Sequence, residues 1–232
     1  MKNFSIGVLC FGQNVIYHKT KILCESILKE GYDCYVLTDD VDFFKDTNAT
    51  IIEYNRVNKS YHDKIILHKK ILQKFNVSIV LDADILINNF YFLYDLNSYE
   101  FKQGVSYLKT LKDRIPCVNT VADLNLNGVR WDVYNSYVNT KIDNYNELET
   151  IWEYVTIFNK NGLNDEFFKV YEQLQLMKEC CDLFSDNIKI LGAGEGISIK
   201  VSAEITKTNC ELDDDLNKIL EKYFVSHKNM NK

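Results

Sequence analysis

The sequence predicts an α/β protein whose Rossmann-like sheet is mixed, mainly parallel, and covered by helices on both faces. Near the start, an apolar strand at 4–11 precedes an amphipathic helix from Val15 and a second strand at 34–38, an order that defines a βαβ unit. A further helix from about residue 60 leads into the apolar strand 79–81. Strands that alternate with helices in this way favour parallel pairing.

The composition fits one globular domain. The 232 residues are 46% hydrophobic and 26% charged, which is enough apolar material for a core that needs no disulfide. One proline and nine glycines leave no room for a linker rich in these residues. We therefore expect a single domain over 1–227, followed by a frayed tail at 228–232.

Charge and cysteine content exclude several classes of protein. A formal net charge of −6 argues against a nucleic-acid partner, because phosphate binding needs clustered Lys and Arg. Seven cysteines, never spaced C-x-x-C, favour a reducing compartment over a disulfide framework or a zinc site. No apolar run has the length of a membrane span or the flanks of a signal peptide. We expect a cytoplasmic protein, and its oligomeric state stays open.

Polar residues follow each of the first two strands. A turn begins at Gly12 after the first strand, and an acidic pair begins at Asp39 after the second. Because the carboxyl ends of parallel strands border one crevice, we expect Phe11, Gly12, Thr38 and Asp39 to lie close together there.

The helix from about residue 60 carries two residues of interest. Lys64 and His68 are one turn apart and therefore share a face, from which they could reach a ligand at the end of strand 79–81. The alternatives are a solvated surface lysine and a histidine that is satisfied within the core.

An acidic pair ends strand 79–81. Asp82 and Asp84 project to the same side of an extended chain, and two carboxylates held that close favour a cation between them. Oxygen ligands suit Mg²⁺ or Mn²⁺, which take substrate phosphates as further ligands. Ala83 is small enough to let a ligand approach the backbone. The alternative is a solvated acidic turn, since D-x-D is short enough to arise by chance.

The second half of the chain contains more helix. Its predicted elements are an irregular aromatic stretch at 90–99, a strand at 103–108, a polar loop at 109–122, a strand at 124–131, helices at 147–158 and 163–184, a strand at 188–191, a glycine-rich loop at 192–196 and a helix at 211–223. The glycine-rich loop lacks the spacing of a nucleotide-binding loop. Asp165 and Glu166 open a helix, where acidic residues commonly favour the dipole, and Glu195 is either exposed on a turn or offered to a ligand.

Several of these segments resemble one enzyme class. The phrase Ile79-Val-Leu-Asp-Ala-Asp-Ile85 resembles the D-x-D segment of glycosyltransferase family 8, and the βαβ start resembles GT-A glycosyltransferases in general. Asn164-Asp-Glu166 and the later Gly194-Glu-Gly196 resemble family 6. The resemblance covers residues 4–90 well and the remainder loosely. It implies a GT-A type fold with a nucleotide-binding half at 1–90 and an acceptor-side half at 91–227.

The resemblance also implies a metal and a donor. Asp82 and Asp84 would hold Mn²⁺ or Mg²⁺ against the diphosphate of a nucleotide sugar, with a UDP-sugar favoured over a GDP-sugar. His227 would be the late histidine that completes the metal shell in family 8, although the companions of that motif are missing here. Lys64 or His68 would lie near the phosphates or the sugar.

The remaining assignments concern the nucleoside and the reacting sugar. Phe11, Gly12, Thr38 and Asp39 would lie near the nucleoside. By its resemblance to family 6, Glu166 would be the carboxylate at the anomeric centre, with Asp165 and Glu195 as alternatives. The chain has Asn where family 6 has His before that Asp-Glu pair.

The implied function is transfer of a hexose from a nucleotide sugar to a glycan or another hydroxyl acceptor. One alternative is a phosphatase of the haloacid dehalogenase type, in which Asp82 would be the nucleophile. That class places its motif after the first strand, whereas two or three strands precede Asp82 here. The other alternative is a non-catalytic sugar-binding module on the same fold.

Overall fold

The computed structural model describes residues 2–12, 14–55, 63–83, 85–87, 89–108, 137–138, 140–143, 152–182 and 194–225. Its strands and helices, in chain order, are β1 (Phe4–Cys10), α1 (Asn14–Lys29), β2 (Cys34–Thr38), β3 (Thr50–Glu53), α2 (Lys64–Ile71), β4 (Val77–Asp82), β5 (Leu86–Ile87), α3 (Phe92–Asn97), β6 (Gly104–Leu108), β7 (Trp152–Asn159), α4 (Asp165–Asp182), α5 (Gly194–Thr206), β8 (Cys210–Leu212), α6 (Asp214–Glu221) and β9 (Phe224–Val225).

Seven of these strands form one mixed sheet in the order β3-β2-β1-β4-β7-β6-β8. Strands β3, β2, β1 and β4 are parallel to one another, β7 is antiparallel to β4 and β6, and β8 is parallel to β6. The predicted α/β class, with a mixed and mainly parallel sheet, is confirmed. Strands β5 and β9 form a separate antiparallel pair.

Helices pack on both faces of the sheet, as the sequence predicts. On one face, α1, α3 and α6 cover alternate β1 residues such as Ile6 and Val8. On the other face, α2 packs its Leu67 and Ile71 against Leu9 and the neighbouring strands, while α4 and α5 build a further cluster. The βαβ start is formed as predicted, because strands buried on both faces alternate with a helix that buries one stripe.

The helix predicted at 147–158 is wrong. Trp152–Asn159 is strand β7, which lies between β4 and β6. Val155 and Ile157 pack on one face and Phe158 on the other. A strand buried on both faces carries apolar residues without strict alternation, so its pattern imitates a helix.

Three further segments differ from the prediction. The stretch expected to be irregular contains helix α3. The glycine-rich segment opens helix α5 at Gly194 and is no loop from that residue onward. The helix predicted at 211–223 begins only at Asp214, because Cys210–Leu212 pairs with β6. The loop at 109–122 and the strands at 124–131 and 188–191 lie outside the described residues.

Among the described residues, no helix combines the length and the apolar character that crossing a membrane requires.

Candidate functional site

The carboxyl ends of four parallel strands meet at one edge of the sheet. In register, Cys10 of β1 pairs with Thr38 of β2, and Leu9 pairs with Asp82 of β4. The chain proceeds from β1 outward to β2 and β3, then crosses back to add β4 on the other side of β1. The crevice between β1 and β4 is therefore the switch point at which open α/β sheets bind ligands. Asp82 stands at this point.

Asp82 forms an ion pair with a buried lysine. The Lys64 ammonium lies 2.6 Å from a carboxylate oxygen of Asp82, and the Lys64 side chain is 1% exposed while that of Asp82 is 17% exposed. Lys64 is the first residue of α2, which packs on β1 and β4 and so brings the amine against the end of β4. The lysine is thus neither a solvated surface residue nor directly open to a ligand. It fixes the orientation of one carboxylate at the mouth of the crevice.

The structure corrects the role predicted for His68. Its ring is fully buried, with Nδ1 2.9 Å from the Ser78 hydroxyl and Nε2 2.8 Å from the Thr156 hydroxyl. The ring also stacks on Phe158, with centroids 3.8 Å apart. Burial, with the Lys64 charge as a lesser cause, lowers the pKa of His68 well below its usual value, so the ring is neutral. His68 is a core histidine and does not face a ligand.

Four predicted nucleoside contacts are brought together beside Asp82. Phe11 is half-buried, and Gly12 is exposed with φ +105°. Asp39 is exposed, and its carboxylate accepts a hydrogen bond from the Tyr17 hydroxyl. Thr38 is fully buried, and its hydroxyl accepts a hydrogen bond from the Asp40 amide at 3.2 Å. Three of the four residues can therefore touch a ligand with their side chains or backbone, whereas the Thr38 hydroxyl is used within the protein.

Two tyrosines join this crevice that the sequence analysis overlooked. Tyr54 follows β3 as Phe11 follows β1, and the two rings stack with centroids 5.6 Å apart and planes 3° apart. The Tyr54 amide also donates to the Thr38 carbonyl at 2.6 Å. Tyr17 holds Asp39, and its own pKa is raised mainly by burial. The position of Tyr54 directly after a parallel strand could have indicated that it lies at the crevice.

A divalent ion fits the described residues in part. Asp82 is a hard oxygen ligand of the kind that Mg²⁺ and Mn²⁺ prefer, and it is accessible at the crevice. Asp84 and His227, the other predicted ligands, lie outside the described residues, although Ala83 between the two aspartates is half-buried. Within the described part of the chain, no group of three potential metal ligands comes together. Of the three predicted ligands, the structure thus describes Asp82.

The carboxylates predicted for catalysis do not all share this edge. Asp165 and Glu166 open α4 and are exposed, and the Asn164 side chain accepts a hydrogen bond from the Phe167 amide at 2.8 Å, so the predicted cap is present. Because β7 is antiparallel to β4, α4 starts at the amino edge of β4. The length of that strand, about 20 Å, separates both residues from Asp82.

Glu195 has a different position in the chain. It stands in the first turn of α5, and its side chain lies outside what the structure describes. Helix α5 ends at Thr206 close to the start of β8, whose residue Cys210 pairs with Val105 near the start of β6. The end of α5 is therefore at the amino edge of the sheet. A helix of 13 residues is about 20 Å long, which carries its beginning toward the edge of Asp82.

No protein-family model matches the chain, and no curated protein matches its sequence. Among solved structures, the glycosyltransferase GlyE of Streptococcus pneumoniae is 11% identical, with a TM-score of 0.42 over 92% of this chain and 45% of GlyE. The mannosyltransferase PcManGT of Pyrobaculum calidifontis, in complex with GDP-Man and Mn²⁺, is 12% identical, with a TM-score of 0.42 over 92% of this chain and 55% of the other.

A third similar structure is 4-diphosphocytidyl-2C-methyl-D-erythritol synthase of Anaerococcus prevotii. It is 10% identical, with a TM-score of 0.42 over 95% of this chain and 99% of the synthase. The chain spans about half the length of the two glycosyltransferases.

Proposed function

We propose that this chain is a metal-dependent glycosyltransferase that moves a hexose from a nucleotide sugar to a glycan or another hydroxyl acceptor. One observation carries the proposal. Asp82 lies at the switch point of the sheet, fixed by the buried Lys64 ammonium 2.6 Å away and still open to the crevice. A buried cation that orients an accessible carboxylate is the kind of arrangement that a phosphate-bound metal requires.

The nucleoside of the donor binds at the ends of β1, β2 and β3. Phe11 offers a half-buried ring, backed by Tyr54, on which a base can stack. Gly12 allows close approach of a ligand to the backbone because no side chain occupies the space there. Asp39 offers a carboxylate that can accept hydrogen bonds from ribose hydroxyls. We propose a UDP-sugar as the donor.

Asp82 and Asp84 are the proposed ligands of Mn²⁺ or Mg²⁺. His227 is the proposed third ligand. When bound, the ion neutralises charge on the leaving diphosphate. Lys64 holds Asp82 in place and adds a positive charge beneath the crevice.

Glu195 is the carboxylate that we propose at the anomeric centre. The direction of α5 favours it, whereas Asp165 and Glu166 start α4 at the far edge of the sheet. A carboxylate at that centre stabilises the oxocarbenium-like sugar or accepts the proton of the acceptor hydroxyl.

A thermal-shift screen of nucleotides and nucleotide sugars, with and without Mn²⁺, tests donor binding. We expect UDP-sugars to raise Tm only with the metal, and we expect chelation to abolish the shift. Asp82→Asn alone removes a charged partner of the buried Lys64 and so also changes stability. The Asp82→Asn/Lys64→Met variant is therefore the fair comparison for loss of binding. Asp33→Asn, an exposed carboxylate at the amino edge, is the matched control and should behave as wild type.

The outcome also separates the alternatives. Release of phosphate from phosphomonoesters, with no change of Tm on addition of nucleotides, would support the phosphatase alternative. Donor binding without turnover of the donor would favour the non-catalytic module. An equal response to GDP-sugars would remove the preference for uridine.

The catalytic carboxylate is tested separately. Glu195→Gln should keep donor binding and lose transfer, while Glu166→Gln should keep both. Transfer that survives in Glu195→Gln and disappears in Glu166→Gln would return the catalytic role to the helix α4 carboxylate.

A further inference from the structure

A polar groove lies at the amino edge of the sheet, opposite Asp82. Its volume is about 640 Å³, which is within the range of small-molecule sites. Residues from the start of β1, the end of α3, the approach to β6 and the turn after β7 line it. Because β1 and β4 are parallel and in register, the groove and Asp82 are separated by the length of β4, about 20 Å.

One buried amide holds the walls of this groove together. Asn159, 6% exposed, donates from Nδ2 to the carbonyls of Phe101 and Lys102, each at 3.0 Å. Its Oδ1 accepts from the Asn161 amide at 3.1 Å. The segment before β6 and the turn after β7 are therefore fixed to each other before any ligand arrives, which lowers the entropic cost of binding.

The lining side chains are mostly uncharged and polar. The lining includes Asn3, Asn97, Gln103 and Asn161, and a side-chain amide can both donate and accept a hydrogen bond. The Asn3 oxygen already accepts from the Asn76 side-chain amide at 2.7 Å. Lys102 is the cation of the lining, and its ammonium lies 3.2 Å from the Leu212 carbonyl and 3.6 Å from the Glu211 carboxylate. That cation is therefore engaged away from any anionic ligand. Glu100 is an exposed carboxylate of the lining. With the cation engaged and a carboxylate beside the amides, the chemistry favours a ligand that carries no negative charge and is rich in hydroxyl groups.

An exposed aromatic pair lies at the other end of α3 from the lining residue Asn97, and the Tyr94 hydroxyl donates a hydrogen bond to the Glu30 carboxylate at 3.2 Å. Tyr91 and Tyr94 are 64% and 53% exposed, with ring centroids 5.9 Å apart. Tyr94 precedes Asn97 by three residues, so these two share one side of the helix, whereas Tyr91 is the residue directly before the helix. Exposed tyrosines that lead into amides offer flat apolar rings for the faces of sugars beside hydrogen-bonding groups for their hydroxyls.

We infer that this groove, with Tyr94 of α3, binds a carbohydrate chain at a site distinct from the crevice at Asp82. The inference goes beyond the proposed function, because binding here requires neither a metal nor any chemistry at Asp82. The occupant is an uncharged oligosaccharide that stacks on Tyr94 and hydrogen-bonds to Asn97 and Asn161.

Saturation-transfer NMR with soluble pentasaccharides of glucose, mannose and N-acetylglucosamine tests the inference. At least one should bind with a Kd in the millimolar range or tighter. Asn97→Ala should weaken binding about fivefold, as expected for one lost hydrogen bond. Tyr94→Ala should weaken it similarly or more, while Tyr94→Phe, which keeps the ring, should retain the wild-type Kd.

Three controls separate this groove from the transfer site. Asn48→Ala, an exposed amide beside β3, should leave the Kd unchanged. UDP with Mn²⁺ should not displace the pentasaccharide, and Asp82→Asn/Lys64→Met should still bind it. Absence of binding by all three pentasaccharides, or an unchanged Kd in both Asn97→Ala and Tyr94→Ala, would overturn the inference without bearing on donor binding at Asp82. Displacement by UDP would overturn the claim that the groove is distinct from the crevice.

Discussion

The ion pair of Lys64 and Asp82 makes an asymmetric prediction for stability. Asp82→Asn replaces the carboxylate beside an ammonium that is 1% exposed with a neutral amide, and loss of a charged partner of a buried group costs about 3 kcal/mol. Lys64→Met leaves a carboxylate that is 17% exposed, which water can reach, so the expected cost is only about 1.5 kcal/mol. The double variant should resemble Lys64→Met, which gives a coupling free energy of about 3 kcal/mol.

Urea unfolding, followed by circular dichroism at neutral pH, measures these free energies of unfolding. In thermal unfolding, a chain of this length should show a Tm lower by roughly 6–12 °C for Asp82→Asn and by roughly 3–6 °C for Lys64→Met. The reasoning is refuted if Lys64→Met is the more destabilised of the two, or if the double variant loses the sum of the single losses. Either result would mean that the Asp82 carboxylate does not stabilise the buried Lys64 ammonium.

Three further predictions concern the core. Burial lowers the pKa of His68 below the unfolded value of 6.5, so the unfolded chain binds the proton more readily. The contribution of His68 to the free energy of unfolding should be full above pH 6.5 and fall below it by up to about 1.4 kcal/mol per pH unit. Urea titrations at several pH values should show that His68→Gln removes this slope. Gly104→Ala combines φ +81° with a methyl group that clashes with the Asn209 carbonyl. It should cost at least about 2 kcal/mol more in unfolding free energy than Gly12→Ala, where φ is +105° and no described atom beyond the chain neighbours lies within 4 Å of the new methyl group. Burial raises the pKa of the Cys10 thiol to about 12, so iodoacetamide at pH 8 should label it only in denaturant. Peptide mass spectrometry measures the labelling, and labelling of the native protein would contradict the placement of Cys10 in the core.

The first half of the fold follows from local pattern. Strand β2 has the predicted bounds, and β1 ends one residue earlier than expected. These strands are short apolar runs bounded by turn residues, and Gly31 with φ +75° ends the helix between β1 and β2 as a glycine cap does. Local chemistry and tertiary structure agree here, so the sequence is sufficient.

Tertiary packing decides the elements that the sequence misassigns. Strand β7 becomes a strand because β4 and β6 border it on both sides, a fact that no local window contains. Gly194 and Gly196 enter helix α5 despite their low propensity, since Gly196, Ser198 and Ser202 are all buried there. Small residues let α5 approach its neighbours closely, and that packing outweighs the cost of glycine in a helix.

The site is predictable where it depends on strand ends and not where it depends on side-chain burial. The placement of Phe11, Asp39 and Asp82 along one edge follows from parallel strands alone. The burial of Lys64 and His68 does not, because both lie on one face of a helix and only the packed sheet shows which side of α2 is covered. Likewise, the antiparallel direction of β7 removes Glu166 from the edge of Asp82, and the sequence holds no signal for it.

The length of β4 sets a threshold on the acceptor. With the groove at one margin of the sheet and the crevice at the other, a rigid spacer of about 20 Å lies between the two places where a sugar chain can be held. A short saccharide occupies one or the other. Under the proposed function, only a longer acceptor can bind in the groove with one end while its other end reaches Asp82. Turnover should therefore rise stepwise with the length of the acceptor.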